Sequence, residues 1–105
     1  MIKILTTQGR TAAIFHCDGC GEKIVNPDMA MALYVDDPPE GETGEVLHAH
    51  KGACDQKLQA RIGKKGGWAE FKHHVVDLVH NSGLPPTKLV EIEADMHGPL
   101  GIRNF

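Results

Sequence analysis

Large aromatic side chains are scarce. Phe15, Tyr34, Trp68, Phe71 and Phe105 are all that a chain of 105 residues supplies. A chain of this length predicts one domain, 1–105, burying roughly 60–70% of its unfolded surface. A core so poor in aromatics gains from a covalent or metal staple. No apolar run approaches the ~20 residues that a bilayer span needs. The opening "MIKILTTQGR" has no extended apolar segment and no small-residue cleavage site, so the expected location is the cytoplasm. Cysteines number three, an odd count that suits a disulfide framework badly. In a reducing compartment they are better read as metal ligands or catalytic groups. There is no phosphate-cradling glycine loop and no nucleophile elbow.

Charge of either sign is modest, with a net of −3, but it is unevenly placed. "DDPPEGETGE" (36–45) holds Asp36, Asp37, Glu40, Glu42 and Glu45 and no base. These acids do not follow a calcium-loop pattern, and Pro38–Pro39 would hinder one. They read as a solvated hairpin tip. Between 51 and 72, Lys51, Lys57, Arg61, Lys64, Lys65 and Lys72 outnumber Asp55 and Glu70. A mildly basic segment is a hint of polyanion contact, set against the plainer reading of a solvated helix face.

Glycine, by contrast, is plentiful, with twelve residues, and it punctuates the chain. "MIKIL" and "TAAIF" flank Gly9 and predict an opening hairpin. "MAMALYV" (29–35) reads as a buried strand, and "EVLHAH" (45–50) as its return strand. "KGACDQKLQARI" (51–62) places Ala53, Cys54, Leu58 and Ile62 near helical spacing, which predicts a first helix stopped by "GKKGG". A second helix is expected over 68–82, with Trp68, Phe71, Val75, Leu78 and Val79 as its apolar stripe and Trp68 in the core. "KLVEIEA" (88–94) alternates and predicts a last, half-buried strand.

The chemistry gathers at four residues. "CDGCG" sets Cys17 and Cys20 three apart, with Gly21 free to curl the backbone so that amides face the sulfurs. Thirty residues on, "HKGAC" sets His50 and Cys54 four apart, on one face at the start of a helix. That helix start also favours a thiolate at Cys54. Cys17, Cys20, His50 and Cys54 therefore make a tetrahedral thiolate–imidazole set suited to one structural Zn2+, with iron the alternative at the same ligands. Three thiolates and a neutral imidazole leave such a site at −1, which Lys23 and Lys51 are placed in sequence to offset. His48, two residues before His50, is the rival fourth ligand. "HAH" also resembles the metal-binding pair of amidohydrolases, but that barrel needs ~250 residues. His73, Asp77 and His80 could share one face of the second helix.

The order of knuckle, hairpin and helix-borne ligand pair resembles the treble-clef zinc finger over 14–62. The motifs that carry it are "CDGCG" and "HKGAC". The second pair departs from the family pattern in being His-x-x-x-Cys. The whole chain also resembles small bacterial or phage proteins that join such a finger to a second helix. The resemblance implies an α+β fold, with a treble-clef core and the second helix and terminal strands around it. A site closed by four protein ligands predicts a structural metal and no enzyme activity. The expected role is an interaction module for a protein partner. The alternative is a nucleic-acid-binding regulator using the basic 51–72 segment. Neither a membrane nor a small-molecule substrate is implied.

Overall fold

The computed structural model describes residues 1–63 and 66–97. Lys64, Lys65 and the tail "GPLGIRNF" lie outside the described residues. Within these limits the fold is α+β, with two small antiparallel sheets and three α-helices. None of these helices is long and apolar enough to cross a membrane.

β1 (Ile2–Thr7) and β2 (Arg10–Phe15) form the expected hairpin, in register from Ile2↔Phe15 to Thr7↔Arg10. Its two-residue turn, Gln8–Gly9, has both φ angles positive, at 53° and 77°. That geometry follows the right-handed twist of the strands. The second sheet has order β4–β3–β5. β3 (Ala30–Tyr34) is its centre and pairs with β4 (Val46–His50) over all five residues. Buried on both sides, a central strand needs the continuous apolar run that 30–34 supplies. A short 3-10 turn, Pro27–Met29, leads into it and is capped by the Asn26 side chain.

α1 (Ala53–Ile62) packs on one face of this sheet, where Cys17, Met31, Leu33, Ala49 and Leu58 form the core cluster. Cys54 and Ile62 pack against its edge, at the helical spacing that the sequence shows. The opposite face carries His48. There Phe15 and Phe71 meet edge to face, 4.9 Å apart, and Phe15 stands the same way against His48.

Two expectations fail. Trp68–Glu70 is not helical: it forms β5, paired antiparallel to β3 through Leu33↔Trp68, Ala32↔Ala69 and Met31↔Glu70. The second helix, α2, starts only at Phe71 and runs to Asn81. Without β5 the second edge of buried β3 would have no ladder partner, and an unpaired buried amide is costly. Trp68 is consequently not core but 58% exposed. Residues 88–94 are not a strand either. Leu89–His97 is a helix, α3, preceded by a 3-10 turn at Pro86–Lys88. Short alternation there competes with strong helix formers (Leu, Glu, Ala, Met) and with Leu89, Ile92 and Met96 at steps of three and four. The helical pattern wins.

Contacts divide the chain into two compact units, Met1–His74 and a second beginning at Val75, the division falling inside α2. The first unit contains all of the described β-structure, α1 and the buried residues. In the second, no residue from Val75 to Met96 is buried.

Candidate metal centre

After β2 the chain reverses on itself. Cys17 N–H donates to the Glu22 carbonyl at 2.8 Å, and Gly21 N–H to the Cys17 carbonyl at 2.9 Å. Ile24 N–H reaches the Phe15 carbonyl, and an isolated bridge joins His16 to Lys23. Gly21 sits at φ 81°, a region that a side chain disfavours, which explains glycine after the second cysteine. Gly19 is required for a different reason. A Cβ there would lie 3.0 Å from the Cys54 Cβ, so the knuckle's approach to α1 needs a bare backbone.

The second half is built at the β4–α1 junction. Gly52, at φ 105°, turns the chain from strand into helix. The Asp55 carboxylate reaches back to accept from the Gly52 N–H and is held by Gln59 Nε2 at 2.8 Å. Asp55 is buried, so this is a helix start fixed by a side chain three residues in. It places Cys54 in the first turn, beneath His50.

The two halves converge. One ligand atom from each of Cys17, Cys20, His50 and Cys54 lies within 4.8 Å of all the others. Cys17 is buried, Cys54 and His50 are half-buried, and Cys20 is exposed. No other such group of three or more His, Cys, Asp or Glu occurs among the described residues. His73 and His80 stay exposed on α2 and are not drawn into one.

The imidazole is already oriented. His50 Nε2 lies 3.3 Å from the Lys23 carbonyl oxygen, which can only accept. The proton is therefore on Nε2, and the Nδ1 lone pair faces Cys20 Sγ at 3.4 Å. A histidine whose far nitrogen is fixed by a carbonyl is the usual arrangement behind a metal ligand. At Cys17, burial would raise the thiol. The amides of His50, Cys20 and Gly19 and the Cys54 thiol outweigh it and bring the pKa from 9.0 down to about 7. The Gly19 and His50 N–H groups donate to its Sγ at 3.2 and 3.4 Å. Cys54 departs from the expectation that its helix start favours a thiolate: its pKa is raised to about 11 through burial, hydrogen bonds with Cys17 and Cys20, and their negative charge. The neighbouring sulfur charges thus oppose ionisation of Cys54. A bound dication removes that conflict and deprotonates each of them. The donor set fits one metal ion, with zinc suited to its thiolate–imidazole chemistry.

His48 does not join the cluster. Its ring is buried, with Nε2 3.2 Å from His74 Nε2 and Nδ1 3.0 Å from the Met1 amino group. The ammonium can only donate, so Nδ1 accepts and His48 Nε2–H donates to His74. Burial, the Met1 charge and His74 together lower its pKa to about 4, against the opposing pull of Asp18. Asp18, inside the knuckle, ties this region together. Its carboxylate accepts from the His48 N–H at 2.7 Å and from the Met1 amino group at 2.8 Å.

Lys51 is engaged differently from the charge-offsetting role expected of it. Lys51 Nζ is committed to Glu70 at 2.7 Å and to the Asp28 carbonyl. Lys57, read in the sequence only as part of the basic segment, reaches the Gly19 carbonyl of the knuckle at 3.2 Å. Asp55 and Asp18 were missed as well. The glycine three residues before Asp55 is a capping-box spacing and could have revealed it, whereas nothing local marks Asp18.

No family model, curated protein or solved structure matches the chain. What fold and site define is a class: a small α+β protein with a candidate Cys3His metal centre.

Proposed function

We propose that Cys17, Cys20, His50 and Cys54 hold one structural zinc ion in a treble-clef core, and that the protein is an interaction module for a protein partner. The observation that carries the metal reading is the convergence of four donor atoms within 4.8 Å from segments 30 residues apart. The order also supports the treble clef: a knuckle at 15–24, the β3–β4 hairpin, then α1 with Cys54 in its first turn. Four protein ligands complete a tetrahedral shell and leave no position for substrate or water, which speaks for a structural ion and against an enzyme. Cobalt substitution tests this. Intense tetrahedral thiolate bands are expected, with no response to azide. Bands unchanged in His50→Ala, or an azide response, would count against it.

The nucleic-acid alternative draws on α1, whose exposed charges, Lys57 and Arg61, are both cationic. Against it, Lys51 and Lys72 of the same segment are paired with Glu70 and Asp28. Affinity for random DNA that falls steeply with salt would favour this alternative. Undetectable binding at low salt would remove it.

A further inference from the structure

Among the described residues, α3 is only partly covered. A nine-residue helix is marginal in water by itself and depends on packing of an apolar face. Yet no residue from Val75 to Met96 is buried. Met96 is 69% exposed and Leu89 is also exposed, while Ile92 between them is half-buried; Val90, 80% exposed, points to another side of the helix. Leu89, Ile92 and Met96 stand at i, i+3 and i+7, a continuous stripe one side chain wide. That spacing is how a helix presents anchors to a partner helix or groove.

Charge selects among occupants. Glu93 flanks the stripe on one side and Asp95 on the other, with Glu91 further round. All three are exposed; the one base beside them is Lys88, in the turn before the helix. A second copy docked helix to helix would bring two acidic rims together. An anionic bilayer would be repelled in the same way. A surface both apolar and cationic gains on both counts, since complementary rims steer encounter and fix register.

We propose that α3 is a docking helix, and that its Leu89–Ile92–Met96 stripe takes a cationic amphipathic helix of a partner protein. The proposal rests on the interaction-module reading and deepens it, but it uses none of the metal-binding residues.

The test uses the full metal-loaded chain and three labelled synthetic helices followed by fluorescence anisotropy. One has a leucine face flanked by lysines, one has the same face flanked by glutamates, and one has the lysine composition scrambled. The lysine-flanked helix is expected to bind in preference to both others. Combined Leu89→Ala and Met96→Ala substitution is expected to weaken it roughly tenfold. Glu93→Lys with Asp95→Lys, a surface change that leaves the apolar stripe intact, is expected to reverse the preference toward the glutamate-flanked helix. Equal binding of all three peptides, or affinity unmoved by the alanine pair, would overturn the proposal. So would a dimer in sedimentation that the alanine pair dissolves, or binding to phosphatidylserine vesicles in place of the peptides. Cobalt spectra of the same variants keep the outcomes apart: an intact spectrum with lost selectivity fails the docking helix alone, and an absent spectrum in the parent protein fails the metal reading alone.

Discussion

At the scale of single residues, His50 and His48 show how two imidazoles on one strand are sent to different tasks. His50 sits at the end of β4, where the Lys23 carbonyl holds Nε2–H and turns Nδ1 toward the thiols. Loss of one ligand of four should remove about a quarter of the ~10–16 kcal/mol that structural zinc contributes in small domains. His50→Ala is therefore expected to weaken zinc binding by about a hundredfold or more, measured by competition with a chromophoric chelator. His48, two residues inward, is kept neutral. Its pKa is about 4 in the folded protein against the usual 6.5, so between these values the unfolded chain binds more protons. Its contribution to stability is full above pH 6.5 and is lost as the pH falls toward 4. The His48 ring signals should show no titration between pH 7 and 5 by NMR, while urea midpoints decline below pH 6.5.

At the scale of elements, Trp68 separates what the sequence conveys from what it conceals. Trp68, Phe71 and Val75 are spaced as a helix face, and only the need of β3 for a second ladder partner makes 68–70 a strand. That need is non-local and leaves no mark at Trp68 itself. The same holds for 88–94, where a short stretch satisfies two periods at once. The candidate ligand cluster was legible for the opposite reason. Each pair is local, its spacing is imposed by a knuckle or a helix turn, and the hairpin between the pairs has clear turn residues. Two measurements check β5. The fluorescence of Trp68, the only tryptophan, should be quenched freely by acrylamide, as expected of an exposed side chain. Gly66→Ala should be strongly destabilising, by about 3 kcal/mol in denaturant titration, because its Cβ would fall 1.5 Å from the Tyr34 carbonyl oxygen. Normal stability in that variant would show that the approach to β5 differs from the one described.

At the scale of the molecule, a metal bound at the four candidate ligands would be the cross-link that such a core lacks. It would close the long loop from knuckle to helix, and closure entropy for a loop of this length is several kcal/mol. The full contribution of a structural zinc, ~10–16 kcal/mol, matches or exceeds the ~5–15 kcal/mol stability of an ordinary domain. Exhaustive chelation is therefore expected to abolish slow amide exchange in β3, β4 and α1, and zinc alone should restore it. Protection that survives chelation would mean that sheet and helix stand without the ion.

The unequal covering of the four ligands carries one more consequence. Cys20 meets solvent while Cys17 is sealed beneath β4 and α1. An incoming chelator would begin substitution most readily at the exposed corner, displacing the Cys20 sulfur first and reaching the buried Cys17 thiolate last. Extraction should then proceed at a rate that depends on the size and concentration of the attacking reagent. In a metal-loaded protein Cys20 would be the doorway through which the ion is handed to, or taken from, a competing thiol.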